Sequence, residues 1–380
     1  MAATAPHLVH GMGTTLEPPT WPAITHAEAA AALVRFPAVG RLEALEWHSP
    51  RPFSAAARVR TSRGVFVLKR HHPDLRTPAG LAEEHAFLAH LAAAGAPVPE
   101  VMLTDAGMGA VAVGGWTYEL HRHGAGRDLY RDRLSWTPFF SVGHARAAGA
   151  ALARLHAASR GFAAPARAVQ PLVASFTILP SEDPLAATEA YVAARPALAA
   201  FLEDRDWRPA LARLFTVLGQ GLPARLAGRP ALWTHNDWHP SNLLWSAEGA
   251  VETVFDFGLA DRTSAVHDLA TAIERTAIDW LDLGQGADAT IGHPETARAL
   301  LNGYASVTPL DGADVAAVVA LLPLVHLEFA LSEIDYFAGV VGDADQAAVA
   351  WEQYLLGHAD WFIAPAGQAF LKRIDLEPLR

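Results

Sequence analysis

The chain has 380 residues, of which 51% are hydrophobic, and its 40 acidic and 29 basic residues give a formal net charge of -11. This length is enough for two domains, or for one domain with two lobes, and either would bury a sizeable core. The acidic balance argues against a general nucleic-acid surface, because binding to a phosphate backbone needs clustered lysine and arginine. The absence of cysteine excludes disulfides, thiolate zinc sites and cysteine nucleophiles.

Two features of the sequence argue against secretion and against a membrane span. The N-terminal "MAATAPHLVHGMG" lacks the basic and continuous apolar regions of a signal peptide. The longest apolar window, which begins at Val315, is interrupted by Pro323, His326 and Glu328, residues that a membrane span rarely carries. These patterns predict a soluble, cytoplasmic protein with no membrane partner.

The first third of the chain indicates a sheet with one main helix. Residues 1–25 have no clear periodicity and are expected to form a loose or packed-on extension. Three segments of period two follow, "RLEALEWHS", "AAARVRTS" and "GVFVLKRHH", separated by turn-forming residues. "LAEEHAFLAHLAAA" predicts a helix that ends before Gly95. Two further extended segments, "APVPEVMLTD" and "AVAVGGWTYELH", complete a predicted N-terminal lobe at residues 26–120.

The remainder, residues 121–380, is predicted to be a mostly helical lobe. It begins with the helical pattern "VGHARAAGAALARLHAAS" and returns to helix in its C-terminal third. Between these helices, "ALWTHND", "NLLWSA" and "VETVFDFG" resemble short strands. The predicted small β insert therefore carries an unusual concentration of polar residues, "WTHNDWHPSNLL".

Two of three chemical interpretations of this polar segment are weak. His235 and His239 have the spacing of helix-borne zinc ligands, but Pro240 disfavours a helix at His239 and no Glu or Cys completes the set. A serine hydrolase would carry Ser241 in a Gly-x-Ser-x-Gly turn, and the flanking glycines are missing here. Zinc-dependent and serine-dependent hydrolysis therefore remain minor alternatives.

Phosphoryl transfer explains more of the same residues. This chemistry needs an aspartate that orients the attacking hydroxyl, and an Asn and an Asp that hold magnesium. Asp237, Asn242 and Asp256 occur in that order, and the Asp-to-Asn spacing matches the catalytic loop H-R-D-x-x-x-x-N. Asp256 begins "DFG" after a hydrophobic strand, as that chemistry requires.

The residues expected upstream for phosphate binding are also present. Only two of the 29 basic residues are lysine, and one of them, Lys69, lies on the third predicted strand in "FVLKR". In kinase-type chemistry a strand lysine contacts the nucleotide phosphates and pairs with a helix glutamate. Glu84 is the preferred partner over Glu83, because it shares a helical face with Leu88 and Leu91.

On these motifs the chain resembles the aminoglycoside phosphotransferase family, which includes choline kinase-like and homoserine kinase-like enzymes. The resemblance extends from about Leu42 to Trp361, and is carried by "FVLKR", "LAEEHAFLAHLAAAGAPVPEV", "ALARLHAAS", "THNDWHPSNLLW", "VFDFGLAD" and "VHDLATAIER". It implies an α+β, bilobal protein-kinase-like fold with an N-terminal antiparallel sheet and a helical C-terminal lobe. It also implies ATP or GTP as donor, Mg2+, and a small hydroxylated acceptor.

The resemblance assigns roles residue by residue. Asp237 would be the catalytic residue, and Asn242 and Asp256 the metal ligands. Lys69 would contact the nucleotide phosphates with Glu84 as its partner, and "TYELH" would be the connector between the lobes. Backbone groups near Glu119 and His121 would then meet the adenine. His235, His239 and Asp268 are expected to organise the loop rather than take part in the chemistry.

Two departures from the family pattern matter. Asn236 replaces the glycine of the usual His-Gly-Asp, and asparagine is the least costly substitute if the position needs a positive φ. The loop "HSPRPFSAA" has no glycine, so phosphate contact there would depend on Ser54, on Arg51 or on backbone N–H groups.

The predicted activity is transfer of a γ-phosphate to a hydroxyl of an amine-, amino alcohol- or sugar-containing acceptor such as an aminoglycoside. Acids of the helical lobe that could attract an amine are Asp261, Asp279, Asp282, Glu328, Glu333 and Asp335, and the sequence does not choose among them. A protein kinase is disfavoured, because few residues separate "DFGLAD" from the next helix. A non-catalytic, pseudokinase-like nucleotide-binding module remains the alternative.

Overall fold

The computed structural model describes residues 7–375, which form two compact units. Among the described residues, unit 1 comprises residues 7–125 and 253–255, and unit 2 comprises residues 126–252 and 256–375. The sequence placed the division between residues 120 and 121.

Unit 1 is built around an antiparallel sheet of five strands in the order β3-β4-β5-β7-β6, and β1 pairs with β2 beside it. Its strands are β1 (Val9–His10), β2 (Leu16–Glu17), β3 (Leu42–His48), β4 (Ala55–Thr61), β5 (Gly64–His71), β6 (Ala110–Val113) and β7 (Trp116–Arg122). Its helices are α1 (His26–Leu33) and α2 (Pro78–Ala93). The sheet with one main helix was predicted from period-two and helical patterning, and these elements confirm it.

Helix α2 begins at Pro78, three residues before the predicted start at Leu81, and ends at Ala93, one residue before the predicted end. The side chain of Thr77 caps the first turn by accepting from the Gly80 N–H, and Pro78 occupies an early position that needs no donor. Gly95 follows the helix with φ of 80°, a conformation that favours glycine.

Residues 1–6 of the predicted extension lie outside the described residues, and part of the remainder is packed on the sheet. Ile24 is buried in the core of unit 1 and α1 follows directly, with Ala29 and Leu33 in the same core. Thr25 and Glu28 form a capping box that starts this helix. Residues up to Thr25 are rich in Pro, Gly, Thr and Ala, so their sequence gives no periodic signal for this packing.

Unit 2 is mostly helical. Its helices are α3 (Val142–Ser159), α4 (Pro184–Ala193), α5 (Pro196–Leu202), α6 (Trp207–Leu218), α7 (Leu222–Leu226), α8 (Ala265–Thr276), α9 (Pro294–Ala305), α10 (Gly312–Leu321), α11 (Leu327–Asp335), α12 (Ala344–Val349), α13 (His358–Ile363) and α14 (Pro365–Asp375). Helices α3 and α9 approach so closely that a Cβ at Gly149 or Gly303 would collide with the backbone of the other helix.

Four short strands flank the polar residues and form two pairs. They are β8 (Ala231–Thr234), β9 (Leu243–Trp245), β10 (Val251–Val254) and β11 (Asp261–Ser264). β8 pairs with β11, and β9 pairs with β10. The hairpin of β9 and β10 brings the residue before β9, Asn242, and the segment after β10, which contains Asp256, to the same end.

Within the described residues one stretch, Gly312–Val341, is long and apolar enough to cross a membrane, with a mean hydropathy of 2.0 in its most apolar window. That window is 78% buried inside the fold, as a core helix would be. Pro323 lies in a short 3-10 turn between α10 and α11 and interrupts the helix.

Candidate active site

The polar segment forms a loop, residues 234–242, that we refer to as the catalytic loop. Its backbone depends on Asn236, which has φ of 60°. The side-chain oxygen of Asn236 accepts from Thr234 Oγ1 at 2.9 Å and Thr263 Oγ1 at 3.2 Å. The structure thus has the positive φ that would explain a glycine in the family pattern, and asparagine supplies hydrogen bonds that glycine lacks.

Asp268, in α8, holds this loop from beneath. Its carboxylate accepts from the backbone N–H of His235 at 3.0 Å and of Asn236 at 2.8 Å, and from His156 Nε2 at 3.0 Å. Burial alone would raise the pKa of Asp268, but the hydrogen bond and charge of His156, with the other loop contacts, lower it overall. Asp268 therefore fixes the loop as a buried carboxylate, as expected of an organising residue.

Asp237 lies at the edge of the loop, with 9% of its surface exposed. The Asn242 Nδ2 donates to Asp237 Oδ2 at 2.9 Å and to the Asp237 carbonyl oxygen at 3.0 Å. The guanidinium of Arg275, in α8, contacts the other carboxylate oxygen, Oδ1. Both oxygens of the predicted catalytic carboxylate are thus held in fixed directions.

The two histidines of the loop make internal contacts. His235 Nδ1 accepts from the Asp237 N–H at 3.1 Å, and its ring centroid lies 4.6 Å from that of Phe257. His239 Nδ1 lies 2.9 Å from Ser241 Oγ, and His239 Nε2 lies 3.5 Å from Asp237 Oδ1. Among residues 7–375, neither histidine belongs to a cluster that could hold a metal.

Asn242 and Asp256 offer the donor chemistry that a hard cation requires. The amide nitrogen of Asn242 is used by Asp237, so its oxygen is the atom left for a cation. Asp256 is half-buried and has φ of 63°, a strained conformation for a residue other than glycine. An amide oxygen and a carboxylate at one end of a hairpin fit Mg2+, which prefers oxygen ligands. Their roles as metal ligands remain predictions.

A cavity adjoins the catalytic loop within unit 2, and its empty space, open solvent included, is about 590 Å³. We refer to it as the acceptor cavity, after the role proposed for it below. Asn236 and Arg275 form part of its wall. Two carboxyl groups, Glu274 and Glu333, and three imidazoles also line it. Its aromatic side chains are Trp136, Trp280, Phe329 and Tyr354. Aromatic walls around convergent polar groups are typical of a small-molecule site.

Arg275 links the cavity to Asp237. Its guanidinium lies 4.5 Å from the ring centroid of Phe329 and 5.5 Å from that of Trp136, besides contacting Asp237. Burial lowers the pKa of Arg275 to about 10, while the charge of Glu333 acts in the opposite direction. The sequence did not predict this residue. With 27 of its 29 basic residues arginine, the chain gives no compositional signal for one of them.

Burial destabilises the charged forms of the carboxyl groups in the cavity. Burial raises the pKa of Glu333 to about 8, although Arg275 opposes the shift, and burial raises that of Glu274 to about 7. The Oε1 atom of Glu333 is buried and has no hydrogen-bond partner among the described residues. His326 and His358 are kept neutral, because burial lowers their pKa values to about 4 and about 3. The cavity therefore contains acidic groups that a bound cation would stabilise.

Of the six acids that the sequence offered for an amine, Glu333 lines this cavity. Others have structural contacts. Glu328 accepts from the Thr177 N–H at 2.9 Å and from Ser175 Oγ at 2.9 Å, and Asp261 accepts from the Arg167 N–H at 2.8 Å. The remaining acids are Asp279, paired with His293, Asp335, bonded to the Leu198 N–H, and the exposed Asp282.

The residues predicted to bind nucleotide lie in unit 1. Lys69 is in β5, with 9% of its surface exposed, and its Nζ is 3.9 Å from Glu119 Oε1. Glu84 is in α2 and 1% exposed. Ser54 is half-buried in the bend between β3 and β4. Nucleotide binding by these residues remains a prediction.

One structural expectation for this region is wrong. "TYELH" was taken as the connector between the lobes, but Thr117–His121 lies inside β7, paired with β5 along its length. The division between the units comes after Ala125. Period-two patterning continues through these residues, and the turn-forming Gly124 and Gly126 mark the true end of the strand.

The Glu119 side chain has an unexpected environment. Its carboxylate lies 3.0 Å from His71 Nε2, 2.7 Å from His85 Nε2 and 2.9 Å from His121 Nε2. Burial would raise the pKa of Glu119, but the charge of His121 and the hydrogen bonds of all three histidines hold it well below its usual range. A role for Glu119 and His121 in nucleotide binding stays a prediction, and their side chains belong to this cluster.

Comparison with known proteins assigns the family. Residues 52–310 match the model of the phosphotransferase enzyme family, APH. This match covers more than half of the chain, so the chain belongs to that family. The resemblance inferred from the motifs is confirmed, as is the expectation of a phosphotransferase enzyme.

Three relatives illustrate the range. An uncharacterized protein of Deinococcus radiodurans is 30% identical over 274 residues, 70% of each chain. The structure of a microcompartment-associated aminopropanol kinase is 19% identical with a TM-score of 0.59, over 94% of this chain and 99% of that one. The amicoumacin kinase hAmiN, solved with AMP-PNP, Ca2+ and Ami, is 16% identical with a TM-score of 0.54, over 92% and 96%. These likenesses confirm the α+β, kinase-like fold.

Proposed function

We propose that this phosphotransferase moves the γ-phosphate of ATP, or of GTP, to a hydroxyl of a small acceptor that carries an amine. Amino alcohols, amino sugars and aminoglycosides belong to this class. The observation that carries the proposal is the position of Glu333 in an aromatic cavity whose wall includes Arg275, which contacts Asp237. The mostly buried apolar stretch of unit 2 supports a soluble, cytoplasmic enzyme.

Asp237 is the residue that would act on the acceptor. In kinase-type transfer an aspartate orients the attacking hydroxyl and accepts its proton as the new P–O bond forms and the bond to the leaving nucleotide breaks. Asn242 holds Oδ2 of Asp237, and Arg275 contacts Oδ1, so the carboxylate needs little rearrangement. Much of the rate gain in this reaction class comes from such positioning.

The donor side would use charge neutralisation. Asn242 and Asp256 would hold Mg2+, which neutralises the charge that develops on the phosphate oxygens. Lys69 would contact the nucleotide phosphates, with Glu84 as its partner. AMP-PNP and Ca2+ in the related hAmiN structure support a nucleotide and a divalent cation for this family.

Carboxyl groups of the cavity would bind the amine of the acceptor. A protonated amine beside Glu333 would supply the partner that its buried Oε1 atom lacks. The aromatic rings of Trp136, Phe329 and Tyr354 can attract the same cation through their faces. An ammonium bound there would also favour the charged form of Glu274, which faces the same cavity.

A kinetic comparison tests this proposal. Phosphate transfer from MgATP should be measured for amino alcohols and amino sugars, each beside its analogue with hydroxyl in place of the amine. We expect a clear preference for the amines, and Glu333→Gln should raise KM for them at least about tenfold, since hydrogen bonds to charged groups contribute about 1.5–3 kcal/mol. KM for ATP should not change.

Glu352→Gln is the matched control, because Glu352 is an exposed acid of the same unit. It should leave every constant unchanged. Equal use of amines and their amine-free analogues by the wild-type enzyme would remove the proposed acceptor class while leaving phosphate transfer itself intact.

One observation favours the alternative of a non-catalytic nucleotide-binding module. Arg275 contacts Asp237, and a proton acceptor paired with a guanidinium is less available to an acceptor hydroxyl. Asp237→Asn separates the two functions. A catalytic Asp237 predicts a fall in kcat of roughly 10²–10⁴-fold with nucleotide affinity retained. No turnover by either protein, with nucleotide bound by both, would favour the non-catalytic module. Equal measurable turnover would show that Asp237 is not the proton acceptor.

A further inference from the structure

The cluster around Glu119 in unit 1 is a candidate metal centre that is separate from the predicted magnesium ligands. His71 lies at the end of β5, Glu119 and His121 lie two residues apart on β7, and His85 lies on α2. Because side chains alternate along a strand, Glu119 and His121 emerge on the same face of the sheet. The cluster therefore joins three elements through four side chains.

The four side chains are turned toward one another. Each histidine presents its Nε2 atom to the Glu119 carboxylate, at 3.0 Å for His71, 2.7 Å for His85 and 2.9 Å for His121. The ligand atoms of His85, Glu119 and His121 all lie within 4.8 Å of one another. His85 and His121 face Oε2 of Glu119, whereas His71 faces the other oxygen, Oε1. Two imidazole nitrogens and one carboxylate oxygen thus surround a small volume, and His71 holds the carboxylate from its other side.

The cluster is almost completely buried. The side chains of Glu119, His121, His71 and His85 are 1%, 7%, 9% and 10% exposed. Four polar side chains in the interior of a unit contribute less to stability than well-packed apolar ones, and they are retained where they have a specific role. The cluster depends on two neighbouring strands and one helix, so the fold itself creates it.

We propose that His85, Glu119 and His121 bind a Zn2+ ion, with His71 orienting the Glu119 carboxylate. Zinc prefers four ligands in a tetrahedron, and nitrogen and oxygen donors at about 2.0–2.2 Å satisfy it. Ligands at those distances lie roughly 3.3 Å from one another in a regular tetrahedron. The nitrogen-to-oxygen separations in the cluster are slightly shorter than this, so small side-chain movements admit the ion. No cysteine is needed, which suits a chain that has none.

The role of this ion would be structural. Three protein ligands would leave the fourth position of the tetrahedron to a water, and because the three side chains are almost completely buried, a substrate would have no access to the ion. The ion would fasten α2 to β7. Lys69 Nζ lies 3.9 Å from Glu119 Oε1, so its positive charge would remain close to a bound zinc ion. This inference does not depend on the identity of the acceptor.

The test is zinc binding by the full chain after removal of metals with a chelator. ZnCl2 should be added back under equilibrium dialysis and the bound zinc measured by mass spectrometry, with the melting temperature recorded in parallel. The wild type should bind zinc and melt at a higher temperature in its presence, since a ligand that binds only the folded state stabilises it. His85→Gln and His121→Gln should each lose one equivalent.

Two matched controls assign that equivalent. His90→Gln changes another histidine of α2 and should bind as much zinc as the wild type. His326→Gln tests the second group of potential ligands, Glu274, His326 and His358, and should retain the equivalent that His85→Gln loses. No zinc bound by the wild type, or equal zinc bound by His85→Gln and the wild type, would overturn the proposal.

X-ray absorption at the zinc edge of the wild-type protein provides a measurement that does not rely on folded variants. We expect four nitrogen or oxygen neighbours at about 2.0–2.2 Å, with the outer-shell scattering of several imidazoles. A six-coordinate zinc without imidazole scattering would contradict the site even if the variants failed to fold.

Discussion

The catalytic loop and the acceptor cavity are neighbours in unit 2, but their polar groups are treated in opposite ways. The loop side chains of Asn236 and Asp237 have hydrogen-bond partners, and Asp268 of α8 accepts hydrogen bonds from the loop backbone. In the cavity, Glu333 keeps a buried oxygen without a partner among the described residues, and burial raises its pKa to about 8. The loop is complete before any substrate arrives, whereas the cavity has a polar group that a ligand would complete.

The largest expected effect comes from breaking the loop at Asp268. In Asp268→Asn an amide N–H₂ would replace one oxygen and face the donors of His235, Asn236 or His156. Disrupting a buried charged network of this kind costs about 3–5 kcal/mol. Urea unfolding should show this loss, with a matching fall in kcat. Asp282→Asn, at an exposed aspartate, should change stability little, and an equal loss there would refute the role of Asp268.

The second test acts at Arg275, the residue that both regions share. Arg275→Lys keeps the positive charge but loses the planar group that contacts Asp237 and stacks near Phe329 and Trp136. We expect kcat/KM to fall about 10–100-fold, mainly through kcat, because loss of an interaction at a buried charged group costs about 1.5–3 kcal/mol. Arg262→Lys changes an exposed arginine of β11 and should be neutral. Higher kcat in Arg275→Lys would instead indicate that Arg275 restrains Asp237.

The third test sharpens the account of the loop at Asn236. Asn236→Ala retains the left-handed φ of 60° at a cost of about 1–2 kcal/mol and loses the hydrogen bonds to Thr234 and Thr263. Asn236→Gly loses the same bonds without the conformational cost. Thermal or urea unfolding should therefore rank the wild type above Asn236→Gly and Asn236→Ala lowest. An alanine variant more stable than the glycine variant would show that backbone conformation is unimportant there.

The smallest effect is a pH dependence in the cavity. Because the pKa of Glu333 is raised in the folded state to about 8, the folded protein holds a proton that the unfolded chain releases above its ordinary value near 4.5. Stability from this group is therefore lost as the pH rises toward 8, by at most about 1.4 kcal/mol for each pH unit. Glu333→Gln should match the wild type near pH 5 and become the more stable protein at pH 8.

Melting temperatures of the two proteins, measured across this range without acceptor, give the comparison. A difference that does not grow with pH would show that Glu333 titrates normally. A bound amine should reduce the loss of wild-type stability at high pH, because its positive charge favours the ionised form of the Glu333 carboxyl group.

Elements with strong local signals were predicted closely from the sequence. The segment "VGHARAAGAALARLHAAS" forms α3 with the same limits, and the three period-two segments form β3, β4 and β5. Asn236 was recognised because a substitution within a spaced motif points to one backbone angle, and that angle is observed. Local patterns and motif spacing carry this information without knowledge of distant contacts.

Features that depend on distant contacts were missed. Arg275 has no motif, and its importance comes from contacts with Asp237 and Phe329 across 38 and 54 positions of sequence. The histidines around Glu119 come from three elements, and their period-two and helical positions are equally compatible with an ordinary interior. The connector was misplaced because a strand and the start of a loop have similar patterns until Gly124.

The acceptor cavity also has a consequence for biosynthesis. Its walls come from residues as far apart as Trp136 and His358, and the apolar stretch Gly312–Val341 supplies one side. While the chain is being made, both predicted catalytic motifs leave the ribosome before this stretch does. A nascent chain that already carries Asp237 and Asp256 therefore lacks the complete cavity, and its apolar segment stays exposed until it packs. We expect production at low temperature, or with added chaperones, to increase the yield of soluble protein.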